Sequence, residues 1–135
     1  MRSLQSFLKL ISIFFLPLLA GCAGNYSTKI KVEQHASVDV YFFHTNYRCE
    51  TCEAIKSETR KSLAELFGED VWFGIYNLED EGKEMAARLG VKSLMLVAVK
   101  DGTKINLTNE AYLYARIDPV KYRQALEEKI KPLLK

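Results

Sequence analysis

Two cysteines separated by two residues, Cys49-Glu50-Thr51-Cys52, are the part of this sequence whose types and spacing could do chemistry. Residues at i and i+3 share a helical face, and their α-carbons can sit at disulfide distance without breaking a helix. Such a pair supports three chemistries. One is reversible thiol–disulfide exchange, with Cys49 as the attacking thiol and Cys52 as the resolving one. A second is capture of a soft ion such as Cu(I) or As(III) by two thiolates, with His44 as a further donor. A third is an inert, structural disulfide in an interaction subunit. A two-residue loop does little to restrict an unfolded chain, so a purely stabilising disulfide is poorly placed here. A lone pair also supplies only two of the four ligands that structural zinc usually takes.

The surroundings favour a reactive thiol. The pair stands where a polar loop, His44-Thr45-Asn46-Tyr47-Arg48, meets a helix. The first turn of a helix has unpartnered amides and a positive dipole end, and both lower the pKa of a thiol placed there. Arg48 acts in the same direction and Glu50 in the opposite one. Tyr47, Arg48 and His44 are expected to face a partner or substrate, and His44 has the right chemistry for proton transfer near neutrality.

Stepping outward, residues 38–43 (VDVYFF) are β-branched and aromatic and read as a strand. From 49 to 67 the period is helical, with Cys52, Ile55, Thr59, Leu63, Leu66 and Phe67 on one stripe, and Gly68 stops it. Residues 71–76 form a second strand. A helix follows over 81–89, with Asp80 as its N-cap and Gly90 at its end. The unbroken apolar run over 94–99 is a buried strand, and Asp101-Gly102 turns it into a hairpin with 103–107. Residues 109–116 make a helical turn or two. Asp118-Pro119 then caps a last helix that runs to about 134. The order predicts an α/β fold with a central mixed sheet of about four strands and helices on both faces. The first three strands, joined by helices, are expected to be parallel.

The beginning of the chain is of another kind. Arg2 and Lys9 precede an apolar run over 10–19, too short to span a bilayer as a mature helix, and the run ends in Leu19-Ala20-Gly21-Cys22. That ending resembles the lipobox of bacterial lipoproteins. It implies a signal peptide over 1–21, a diacylglycerol on Cys22 and a polar tether over 22–34, ahead of a domain over 35–135. Membrane lipid is thus the first expected partner, and a cell-envelope location, on the outer or inner membrane, permits disulfides. Ala23 follows Cys22, where an aspartate would suggest inner-membrane retention. The chain has 19 Lys+Arg and 17 Asp+Glu; losing Arg2 and Lys9 leaves 17 of each, so neither nucleic acid nor a polybasic membrane contact is indicated. His35 falls in or beside the tether and is expected to be solvated.

With the strand VDVYFF, the cysteine pair at a helix start, Glu79-Asp80, Gly90-Val91-Lys92-Ser93 and Asp101-Gly102 in place, the chain resembles the thioredoxin superfamily from about 38 to 134. The implied architecture is a thioredoxin-like three-layer sandwich. A pattern like YFFH-x-x-x-RC-x-TC-x-x-I, with Asn106-Leu107-Thr108, Tyr112 and Ala115-Arg116, is similar to Gram-negative lipoproteins labelled arsenic-operon nitrophenyl nitroreductase subunit-like. The label implies a redox or arsenic setting. No flavin or other cofactor motif is present, so no cofactor is expected. If the pair exchanges disulfides, a membrane electron donor or redox protein is the expected partner that resets it.

Three positions depart from thioredoxin. Met95 is expected where thioredoxins carry a cis-proline facing the cysteines, so a thioether would face the site, with gap-filling in the core as the more ordinary use of a methionine. Phe42 or Phe43 stands at the level of the buried aspartate, with Asp39 expected at a solvated strand end. Glu50-Thr51 replaces Gly-Pro. Tyr47, Tyr112, Tyr114 and Arg116 are candidates for the rim of the site.

Overall fold

The computed structural model describes residues 37–135. The signal segment, Cys22, the tether and His35 lie outside the described residues. Strand β1 (Val38–His44) turns Val38, Val40 and Phe42 toward one side and Tyr41 and Phe43 toward the other. Helix α1 (Glu50–Phe67) follows and buries Cys52, Ile55, Thr59, Ser62 and Leu63 along one stripe. Gly68 ends it at a φ of 56°, donating its N–H to the Ala64 carbonyl. A 3₁₀ turn over Gly68–Asp70 leads to β2 (Val71–Asn77), which runs parallel to β1 from Val38–Val71 to His44–Asn77.

Helix α2 (Lys83–Leu89) starts later than the sequence suggests, and its cap is Gly82 rather than Asp80. The turn residues take up the difference. Glu81 accepts a hydrogen bond from the Asn77 N–H at 3.0 Å, and Gly82 donates to the Asn77 carbonyl at 2.7 Å. A Cβ on Gly82 would stand 2.5 Å from that carbonyl oxygen, so no other residue fits.

β3 (Met95–Lys100) is antiparallel to β1, from Asp39–Val99 to Phe43–Met95, which corrects the expectation of three parallel strands. The reason lies in the length of α2. Seven helical residues cover only about 10 Å, less than half the reach of a seven-residue strand. The connection therefore returns at the end of the sheet it left, and β3 lies beside β1 on the side away from β2. Asp101 and Gly102, at φ values of 48° and 80°, make the tight turn into β4 (Thr103–Asn106). The sheet order is β2-β1-β3-β4.

Helix α3 (Thr108–Tyr114) and helix α4 (Pro119–Ile130) close the chain. Asp118 caps α4 by accepting from the Lys121 N–H at 3.0 Å. Beyond Ile130 the chain tightens into a 3₁₀ turn (Lys131–Leu134), because Pro132 has no N–H with which to continue an α-helix.

Helices α1, α3 and α4 cover one face of the sheet, over Val38, Val40, Phe42, Leu96 and Ala98. Helix α2 covers the other, over Phe43 and Val97. A hydrogen bond of 2.6 Å between Thr59 and Tyr122 ties α1 to α4 inside the larger core. Asp39 is not a solvated strand end. β1 is a central strand, so Asp39 lies between Trp72 and Val99, half-buried, with Oδ2 accepting from the Tyr41 hydroxyl at 3.4 Å. Burial first, and then the Asp39 charge, push the Tyr41 phenol up to about 12.

Candidate functional site

Cys49 and Cys52 are joined in a disulfide with their α-carbons 5.2 Å apart. Cys49 is the N-cap of α1 rather than its first helical residue, with extended backbone. Its Sγ accepts the Cys52 N–H at 3.1 Å, and its carbonyl accepts the Glu53 N–H at 3.1 Å. One of the helix's four unpartnered amides is therefore aimed at the Cys49 sulfur. Cys49 is half-buried whereas Cys52 is only 4% exposed. An incoming thiolate thus meets Cys49 first.

An open, polar cleft of about 570 Å³ lies beside the pair. His44, Tyr47, Arg48, Lys56 and Asn77 line it together with Cys52. His44 stacks on Phe42 with ring centroids 6.1 Å apart. Its Nδ1 lies 2.8 Å from the Thr45 carbonyl. A carbonyl only accepts, so Nδ1 is the donor in this contact. Tyr47, 79% exposed, and Arg48 stand at the open side. Lys56 is held by Glu53 at 3.0 Å, and that hydrogen bond, then the Lys56 charge, hold the Glu53 carboxyl below its usual range. The loop is braced by Asn77 donating to Asn46 at 2.7 Å and by the Asn46 N–H donating to Glu79 at 2.9 Å.

Met95 does not belong to this site. It pairs with Phe43 across β1 and β3 and lies with Phe43, Ala86 and Val97 on the α2 face. Side chains alternate along a strand, so the one-residue step from Leu96 to Met95 moves the thioether to the opposite side of the sheet. The residue just before β3 is Leu94, and its peptide bond is trans. Phe42, not Phe43, shares the core with Cys52. Among the described residues no three His, Cys, Asp or Glu side chains converge as a metal site.

Two of the suggested rim residues do reach the pair, both from α3 or its end. Arg116 forms an ion pair with Glu50 at 2.6 Å, so the charge that would oppose a Cys49 thiolate has a partner of its own. The Tyr112 hydroxyl lies 3.8 Å from the Cys52 Sγ. Tyr114 points elsewhere, with the Lys121 ammonium 4.3 Å from its ring centre. The i, i+4 spacing of Tyr112 and Arg116 was the signal that separates them from Tyr114.

No family model matches the chain, and neither does any curated protein. Among solved structures it is similar to thioredoxin f2 of Chlamydomonas reinhardtii, at 25% identity over 74% of this chain and 84% of that one, with a TM-score of 0.50. It is also similar to the zinc-bound form of human ERp44, at 16% identity over 75% of this chain and 28% of that one, with a TM-score of 0.47. A malarial protein matches at 22% identity over 50% of this chain and 74% of its own length, with a TM-score of 0.41. The fold of the described residues is thioredoxin-like.

Proposed function

We propose that this protein is an envelope lipoprotein whose Cys49–Cys52 pair exchanges its disulfide with a specific partner. The observation that carries the reading is the disulfide at the start of α1, with the Cys52 N–H donated to the more accessible sulfur. That amide, the helix dipole and Arg48 all favour a thiolate at Cys49. In the reduced state the Cys49 thiolate attacks a partner disulfide and forms a mixed disulfide. Cys52 then attacks the Cys49 sulfur, re-forming the internal disulfide and releasing the partner as a dithiol. Two electrons pass to the partner, and a membrane electron donor returns the pair to its dithiol state. The Leu19-Ala20-Gly21-Cys22 box supports an anchor at Cys22, which would hold the domain at the membrane surface where that donor resides.

Trapping in cells tests both the roles and the partner. Cys52→Ser is expected to accumulate a reductant-sensitive adduct through Cys49, and Cys49→Ser is expected to accumulate none. An adduct through Cys52 alone would reverse the roles, and the absence of any adduct from either variant would count against a partner. Cys22→Ser is expected to move the protein from the membrane fraction to the soluble one.

A further inference from the structure

The redox reading leaves one feature of the site without a task, the tyrosine that α3 holds against the buried sulfur. Two connections fix α3 at the start of β3, and a third ties it to the end of β4. The Leu107 N–H donates to the Leu96 carbonyl at 2.8 Å, the Leu96 N–H donates to the Thr108 hydroxyl at 3.0 Å, and the Thr108 N–H donates to Asn106 at 2.9 Å. Ala111 and Ala115 are fully buried, and their small side chains let the helix approach the core closely. Glu110 pairs with Lys129 and so ties α3 to α4. The result is a rigid arm that carries the Tyr112 hydroxyl to 3.8 Å from the Cys52 Sγ. A disulfide sulfur has no proton to give, so Tyr112 is the donor in this contact.

We infer that Tyr112 is a catalytic residue of the dithiol site, a fixed hydrogen-bond donor that stabilises Cys52 as a thiolate whenever the disulfide opens. The inference rests on the redox reading above. The step is the reduction of the pair. A thiolate of an incoming dithiol attacks the Cys49 Sγ, and a sulfur–sulfur bond forms between them. The Cys49–Cys52 bond breaks, and its electron pair goes to the Cys52 Sγ. The Tyr112 O–H donates a hydrogen bond to that charge without giving up its proton. The donor's second thiolate then attacks its own sulfur in the mixed disulfide. Cys49 leaves as a thiolate and the donor becomes a disulfide. In the opposite direction the same hydrogen bond keeps Cys52 deprotonated, ready to attack. Burial raises the Tyr112 phenol above its ordinary value, so it remains a donor rather than a base. The other groups facing this region are His44 at the end of β1, Arg48 in the loop, and Glu53 and Lys56 on α1, all along the cleft, with the Glu50–Arg116 pair at the rim.

The test uses the full chain in detergent, with the disulfide equilibrated against glutathione and then opened with dithiothreitol. Tyr112→Phe keeps the ring and removes only the donor. It is expected to shift the dithiol–disulfide equilibrium roughly 3- to 10-fold toward the disulfide, a fall of up to about 30 mV in midpoint, and to slow opening by a similar factor. Tyr114→Phe should change neither. A fluorinated tyrosine placed at 112 is a stronger donor and should move both quantities the other way, a response that a merely structural role would not produce. Midpoint and opening rate equal to wild type in both Tyr112 variants, with a wild-type pair that still cycles, would overturn the inference and leave the redox reading intact. A wild-type pair that does not cycle would overturn both.

Discussion

On one face of the sheet Phe42 and Leu96 lie beneath three helices; on the other, their chain neighbours Phe43 and Met95 meet the single short helix α2. The same strands thus supply alternate residues to two cores of different size. The larger core carries the chemistry, because Cys52 is part of it and the helix with Tyr112 packs on it. The smaller one closes the sheet with Tyr41, Tyr76, Met85 and Met95 and touches neither cysteine. The three-helix face is the side of this sheet that holds Cys52 in place, 4% exposed.

Cys49→Ser should abolish the reversible disulfide outright, whereas Met95→Leu should leave its midpoint unchanged within error. A tenfold shift of the equilibrium by Met95→Leu would mean that the two faces are not separate. In stability the expected contrast is Phe42→Ala, at about 3–5 kcal/mol, against about 1–2 kcal/mol for the half-buried Met95→Ala. Denaturant unfolding of the oxidised chain measures both.

Hydroxyls give a smaller and pH-dependent contrast. Tyr122→Phe leaves the buried Thr59 hydroxyl without its partner and should cost about 1–3 kcal/mol. Burial also raises the Tyr122 phenol, and Tyr41 is raised from 10.0 to about 12. Both phenols hold their protons more tightly folded than unfolded. The stability linked to this is fully present below about pH 10 and is lost as pH rises through the folded values. Each Tyr→Phe variant should therefore flatten the alkaline decline in unfolding midpoint. The effect should be larger for Tyr122, which is fully buried on the three-helix face, than for Tyr41 on the α2 face. An equal or reversed order would contradict the assignment of the larger, drier core. The least effect is expected at the surface. Arg116→Ala breaks an exposed ion pair and should change stability by no more than about 1 kcal/mol, and by less at high salt.

Much of this architecture was legible from residue types. The cysteine pair at a helix start, the Asp101-Gly102 turn, the Asp118-Pro119 cap and the stripe of Cys52, Ile55, Thr59 and Leu63 each follow from local chemistry, and each is found in the fold. What was not legible depends on direction and register. An apolar run such as LMLVAV reads the same forward and backward, so the antiparallel course of β3 had to come from the shortness of α2. Met95 fills the smaller core rather than facing the cysteines, because a one-residue step along a strand exchanges its two faces. Tyr112 was visible as one aromatic among several. Its contact with Cys52 depends on where α3 docks, and that is set by hydrogen bonds to Leu96 from a different part of the chain.

Cys49 and Cys52 are proposed to form one reversible two-electron couple. Its most direct test is to equilibrate the full chain in detergent with glutathione buffers spanning about −300 to −120 mV, trap free thiols by alkylation, and count the labels on the peptide that carries both cysteines. A single transition is expected, with both cysteines labelled below the midpoint and neither above it. Two thiols free at every potential, or a disulfide that never opens across the range, would contradict it.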